Sequence, residues 1–230
     1  VIDRARKVMR EGLAPDTLDI PLGPEIGQCC GGRVEVGLFN VTPAKAREIA
    51  ARVEAEDASR PHVYVFGAGN VGQSLARALA LLPVRAHVVD TRPDELVGLP
   101  DNVAAIATAL PESVVRSAPE GSSYVILTHD HALDFLIAAE ALKREDAPYV
   151  GMVGSRTKRA RFHTWYSAEG GSEKAFQRLI LPIGRQGLGD KRPEVIAALA
   201  VAEILVHIGS READLHARRA EAKLGAAFGR

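Results

Sequence analysis

Cysteine is nearly missing: the 230 residues hold two, Cys29 and Cys30, and they are adjacent. Neighbouring thiols cannot join distant parts of a chain, and a bond between them closes a small strained ring, which argues against a structural disulfide. Two thiols without a CxxC companion also make a poor zinc site. No charge is in excess, with 29 Lys and Arg against 29 Asp and Glu. The basic field that would gather nucleic acid is absent, and any anion recognised here is recognised locally. No apolar run approaches the ~20 residues that span a bilayer, and no signal peptide is visible; this predicts a cytoplasmic protein with no membrane partner. Internal repeats and low-complexity tracts are absent too. So is an initiating methionine: the chain starts at Val1 inside a helical pattern of Val1, Ile2, Ala5, Val8 and Met9, so the first domain reads as incomplete at its N-terminus.

What is present is enough apolar residue, 47% of the chain, to build one good core and a smaller appendage. The centre of the sequence is Val63 to Phe66, a β-branched and aromatic run, followed by a turn carrying Gly67, Gly69 and Gly72. Apolar residues then recur at helical spacing through Val71, Leu75, Ala78, Leu79 and Leu82. This reads as strand, glycine turn, helix. Gly67 permits the tight turn, Gly69 lets backbone approach a phosphate, and Gly72 lets helix pack on strand, so the helix N-terminus faces an anion. Asp90 closes the next strand, 18 residues beyond Gly72, where a Rossmann unit places the carboxylate that accepts from a ribose hydroxyl. An unliganded glycine turn of a doubly wound sheet would have the same pattern.

Upstream, Thr17 to Leu22 and Arg33 to Val41 alternate as half-buried strands, with Leu18, Ile20 and Leu22 on one side of the first and Val34, Val36 and Leu38 on one side of the second. Between them Gly23 to Gly32 is a glycine- and proline-rich loop holding both cysteines. They fit two roles: small buried hydrophobes, or accessible thiols activated beside Arg33. Thr42 and Pro43 open a helix with Ala46, Ile49, Ala50 and Val53 on its apolar face. The domain boundary falls at Pro61, dividing an N-terminal α+β domain (1–60) from a Rossmann-like domain (61–230).

Downstream, strands are expected at 86–90, 103–107, 123–128 and 149–153, with helices near 131–144, 155–166 and 194–208 and a solvated helical tail beyond Arg211. The alternation predicts a doubly wound parallel sheet with ligands at its carboxyl edge. Three further strand ends carry candidate chemistry. His129, Asp130, His131 and Asp134 could bind a metal or a substrate group, or Asp130 could simply cap the helix that follows. Gly154, Ser155 and Arg156, with Lys158 and Arg159, form a second anion seat or a solvated basic face. The loop over Gly184, Gly187 and Gly189 could close Lys191 over the first glycine turn, or could be a plain connection.

Four blocks together resemble the XdhC/CoxI family, the accessory factors of molybdenum hydroxylases of the xanthine dehydrogenase type. They are Leu22 to Val34 with its Gln-Cys-Cys-Gly-Gly core; Gly67 to Gly72 with Val89-Asp90; Thr128 to Asp134 with Gly151 to Arg156; and Pro182 to Gly184 with Lys191 to Ala197 and Ala202-Glu203. The family's opening Gly-Ser-Thr-Pro-Arg-like segment and Gly-Gly-Gly turn lie upstream of Val1 and are not in this sequence. The resemblance implies a factor that binds molybdenum cofactor, as molybdopterin or its cytidine dinucleotide form, supports its sulfuration, and delivers it to an apo-hydroxylase with a cysteine desulfurase as sulfur donor. It implies a chaperone more than a turnover enzyme, and an exchanger serving a dimeric enzyme is expected to be a homodimer. Cys29 and Cys30 would contact molybdenum or its sulfur. Gly67, Gly69, Asn70 and Gly72 would cradle phosphate, Asp90 a ribose; His129, Asp130, Gly154, Ser155, Arg156 and Lys191 complete the expected cofactor set. The rivals are an NAD-dependent oxidoreductase and a nucleotide-sensing domain that binds NAD without chemistry.

Overall fold

The computed structural model describes residues 1–13, 15–23, 31–184 and 189–228, with side chains described as far as 211 and at 213. Cys29 and Cys30 lie outside the described residues. The chain divides into two compact units, Val1–Ser59 and Arg60–Arg230.

The first unit contains α1 (Ile2–Glu11), an antiparallel pair β1 (Asp16–Pro21) and β2 (Arg33–Leu38), and α2 (Pro43–Ala58). Alternation sets the hairpin register: Leu18 faces Val36 and Ile20 faces Val34 across the ladder, cross-strand pairs of the kind that stabilise a sheet. Gly12 ends α1 in the left-handed conformation at φ +68°. Thr42 caps α2, its hydroxyl accepting from Lys45 N at 3.2 Å, and Pro43 follows at the first turn. The apolar face expected of α2 is real as a pattern, but it is not buried: Ile49 and Val53 are 39% and 54% exposed. Val8 of α1 is the one hydrophobic residue of this unit that is fully buried among the described residues.

The second unit contains a six-stranded sheet in the order β5-β4-β3-β6-β7-β8, parallel at every pairing. The strands are β3 (His62–Phe66), β4 (Arg85–Asp90), β5 (Ala104–Ala107), β6 (Ser123–Ile126), β7 (Val150–Met152) and β8 (Leu179–Ile180). The order of a doubly wound Rossmann sheet reverses between its first and fourth strands, here β3 and β6. Central strands are apolar on both sides because both faces are covered. Val63, Val65, Val88 and Val125 face one cluster, against α3 (Asn70–Leu79) and α8 (Pro193–Phe228); Tyr64, Phe66, Val89, Tyr124 and Ile126 face the other, against α4 (Pro111–Ser117), α5 (His131–Lys143) and α6 (Arg156–Ala168). The short α7 (Glu173–Phe176) precedes β8.

Several elements differ from the sequence reading. β6 stops at Ile126 rather than at 128, because Thr128 N donates to Asp134 instead of to a neighbouring strand. The two-residue β8, α4 and α7 were too short to give a periodic signal. Helix α8 is one continuous 36-residue helix. Its Pro193–Arg211 part is long and apolar enough to cross a bilayer by length and composition, contrary to the expectation of no such stretch. Ala197, Ala200, Val201, Ile204 and Ile208 of that helix are nonetheless buried in the core cluster that includes Leu75 and Leu79 of α3, along one stripe, while Leu205 and Val206 on another face are exposed.

Candidate functional site

The carboxyl edge of the sheet, at the reversal between β3 and β6, is where the topology opens a crevice. β3 runs into Gly67 at φ +112°, and a Cβ there would sit 2.4 Å from the carbonyl oxygen of Leu127 at the end of β6. A Cβ on Gly72 would meet Gly67 O at 2.0 Å. Both glycines are therefore steric requirements of the turn. Gly69 differs: a Cβ there would meet no atom within 4 Å, and the residue stands at the N-cap of α3 with no side-chain cap. The first-turn N–H groups of a helix have no intrahelical partner, and with Gly69 partly accessible and Asn70 exposed they and the positive end of the helix dipole favour an anion here.

Asp90 ends β4 beside this turn, 4% exposed. Its Oδ2 accepts from Ala68 N at 2.8 Å and from Arg92 Nη2 at 3.3 Å; its Oδ1 accepts from Arg92 N at 2.9 Å and Arg92 Nε at 3.2 Å. A carboxylate has about four acceptor positions, and these contacts fill them. Burial pushes the Asp90 carboxyl up, but the Arg92 guanidinium and the two N–H groups outweigh it and hold its pKa below the usual carboxylate value. The acid is where a ribose-binding residue belongs, yet what it does in this structure is fasten the glycine turn and a guanidinium. Arg92 also pairs with Glu95 at 3.0 Å and keeps a half-exposed side chain.

The end of β6 brings together residues that sequence reasoning placed in separate clusters. Asp134, fully buried, accepts at Oδ1 from Thr128 N at 2.9 Å and Thr128 Oγ1 at 2.8 Å, and at Oδ2 from Lys158 Nζ. Lys158 Nζ also donates to Val153 O at 2.9 Å. One buried pair thus ties the ends of β6 and β7 to α5 and α6. A Cβ on Gly154 would come within 2.6 Å of Lys158 Cδ, so the absence of a side chain at Gly154 leaves room for that lysine. The pair has a signal in the sequence. Asp134 heads the buried stripe Asp134, Ile137, Ala138, Ala141, and Lys158 heads Lys158, Phe162, Tyr166; opposite charges opening two apolar stripes point to each other.

The remaining candidates are plainer. Asp130 caps α5, accepting from Ala132 N at 2.8 Å, and His129 and His131 beside it are exposed. Among the described residues no three His, Cys, Asp or Glu side chains gather to hold a metal. Ser155 caps α6 by accepting from Lys158 N at 3.3 Å, and Arg156 is exposed. Lys191 is exposed just ahead of Pro193; Gly187 of the same loop lies outside the described residues, and Gly184 N donates to Glu203 Oε2 at 3.1 Å. Two clefts lie elsewhere. One of ≈620 Å³ lies along α5, α6 and α7 and includes Glu140, Lys143, Trp165 and Arg178, and one of ≈350 Å³ includes His131, Phe135 and Trp165. Neither is lined by any residue of the glycine turn, so the turn and the strand ends define the site by topology and backbone chemistry.

A model of the XdhC Rossmann domain matches residues 63–204. Among solved structures, a protein of Bacillus halodurans described as a xanthine dehydrogenase is similar at a TM-score of 0.73 with 18% identity, over 90% of this chain and 79% of that one; at that identity the likeness is one of fold. A search of the curated proteins finds no match.

Proposed function

The chain belongs to the XdhC family, and on that premise we propose that it is an accessory factor for a molybdenum hydroxylase of the xanthine dehydrogenase type, carrying molybdenum cofactor at the carboxyl edge of its Rossmann sheet. The observation that carries this reading is Gly69, an uncapped helix start in open space at the β3–β6 crevice. Such a start takes a phosphate. A pterin's terminal phosphate suits a seat made of backbone N–H groups at Gly69 and Asn70, with Gly72 packed beneath it against Gly67 O. Bound there, the cofactor would bring redox chemistry that is exercised in the hydroxylase after transfer. This chain's part is to bind, orient and release.

Asp90 bears on the rival NAD reading. With four hydrogen bonds already made to its oxygens, a ribose diol could be received only by displacing Arg92. The geometry therefore favours molybdopterin itself, whose terminal phosphate brings no ribose diol, over NAD and over the cytidine dinucleotide form.

Supporting sulfuration is the proposed role of Cys29 and Cys30, with a cysteine desulfurase as donor and the apo-hydroxylase as recipient; the resemblance of the Gln-Cys-Cys-Gly-Gly block supports it. The test is to titrate the purified chain with isolated molybdenum cofactor and with NAD, and then to reconstitute apo-hydroxylase. Cofactor binding without NAD binding is expected. A Cys29→Ala, Cys30→Ala chain should bind cofactor yet fail to yield sulfurated, active hydroxylase; full activation by that variant would remove the thiols from the mechanism, and binding of NAD alone would overturn the carrier reading.

A further inference from the structure

Asp90 and Arg92 form a latch whose every part lies inside the Rossmann unit. Arg92 stands directly before Pro93, where extended backbone is favoured, and it is extended, at φ −109° and ψ 106°. Its N–H reaches Asp90 Oδ1 at 2.9 Å, and its side chain folds back on the same carboxylate, Nε to Oδ1 at 3.2 Å and Nη2 to Oδ2 at 3.3 Å. Pro93 opens a one-turn helix, Pro93–Leu96, whose Glu95 pairs with Arg92 Nη1 at 3.0 Å. That turn is tied in its own right to α3, since Gln73 Nε2 donates to Glu95 O at 2.8 Å. A guanidinium is a planar fork that matches a carboxylate, and here two acids hold it in place.

In a Rossmann unit the acid at this strand end receives a ribose hydroxyl. Asp90 has the position and the burial for that task. Two of its four acceptor positions are taken by backbone, by Ala68 N at Oδ2 and Arg92 N at Oδ1. The other two, one on each oxygen, are taken by the guanidinium. Without that side chain they would be vacant, and two acceptor positions are what a vicinal diol needs.

We infer that Arg92 is the specificity-determining residue of this crevice, an internal surrogate for a ribose diol that shuts nucleotides out and leaves the seat to phosphate-bearing ligands without one. The inference rests on the crevice being the place where this chain takes its ligand, as proposed above. Glu95 is a positioning residue that acts through Arg92. The bonds a ribose must displace are charge-assisted, which sets the discrimination at ~10- to 100-fold in affinity.

The test is calorimetric titration of the full chain with NAD and with the NAD analogue that has 2′-deoxyadenosine in place of adenosine. Arg92→Ala should bind NAD at least ~10-fold more tightly than the parent, and the gain should vanish with the deoxy analogue. Removing a cation would by charge alone weaken binding of an anionic dinucleotide, so a gain points to the freed carboxylate. Glu95→Gln, which loosens the latch without touching Asp90, should move NAD affinity the same way by a smaller factor, and it carries the test if thermal melting shows that Arg92→Ala does not fold. A parent that binds NAD as tightly as the variants, no gain in a folded variant, or a gain that persists with the deoxy analogue would each overturn the inference. The carrier reading is tested apart from this by titrating the parent with isolated molybdenum cofactor: no binding there, with NAD binding gained in Arg92→Ala, would remove the carrier and leave the latch standing.

Discussion

Gly69 and Gly72 are three positions apart and have opposite relations to their surroundings. Gly72 has Gly67 O where a side chain would go; Gly69 has nothing. Gly69→Asp is therefore the informative change. At φ −67°, ψ −170° the residue is a helix N-cap, a place where aspartate is at least as favourable as glycine, by a few tenths of a kcal/mol. The variant should melt no lower than the parent but lose binding of any phosphate-bearing ligand, because a carboxylate would occupy and repel the anion seat. Calorimetry paired with a ligand titration reads both. Unchanged affinity would place the ligand somewhere else.

His87 offers a second prediction at this scale. Its ring stacks on Tyr64 at 4.3 Å, and its Nε2 lies 3.0 Å from His62 Nδ1. Burial, then the neighbouring His62 and Arg85, bring the His87 pKa down to about 4, and burial lowers that of His62. The folded chain thus keeps His87 neutral while the unfolded chain takes up a proton near the ordinary pKa of about 6.5. Stability from this source is complete above pH 6.5 and is lost as pH falls toward 4. The depressed carboxylates Asp90 and Asp146 act below that window, so a fall in melting temperature between pH 6.5 and 5 belongs to the histidines. His87→Phe should flatten it.

Elements meet the site through their ends, and one buried meeting of this kind is the pair Asp134 and Lys158, which joins α5 to α6 and both to the ends of β6 and β7. Removing one member of a buried pair leaves an unpaired charge and costs about 3–5 kcal/mol. For a chain of this size Lys158→Met should lower the melting temperature by roughly 10 °C, at about 2–4 °C per kcal/mol. Adding Asp134→Asn should cost less than the sum of the two single changes, since the second removes the charge that the first strands. Additive losses in a double-mutant cycle would mean that the two side chains do not act as a unit.

At the scale of the whole molecule, the two units obey different economies of burial. The Rossmann unit covers both faces of its central strands, whereas the first unit buries Val8 alone among its described hydrophobic residues. Sequence sufficed for what depends on neighbours a few positions away. The glycine turn, the caps at Thr42, Asp130 and Ser155, the alternation of β1 and β2, and the strand–helix rhythm that makes a doubly wound sheet are all written in short-range spacing, because turn chemistry and side-chain periodicity are local. Tertiary structure alone decided two things: that Asp90 is saturated by Ala68 and Arg92, and that Asp134 meets Lys158 from 24 positions away. Each depends on how strands are ordered and which faces are covered. Those are contacts between distant segments, set by the packing of the sheet and its helices and invisible to any window of sequence that contains only one of the partners.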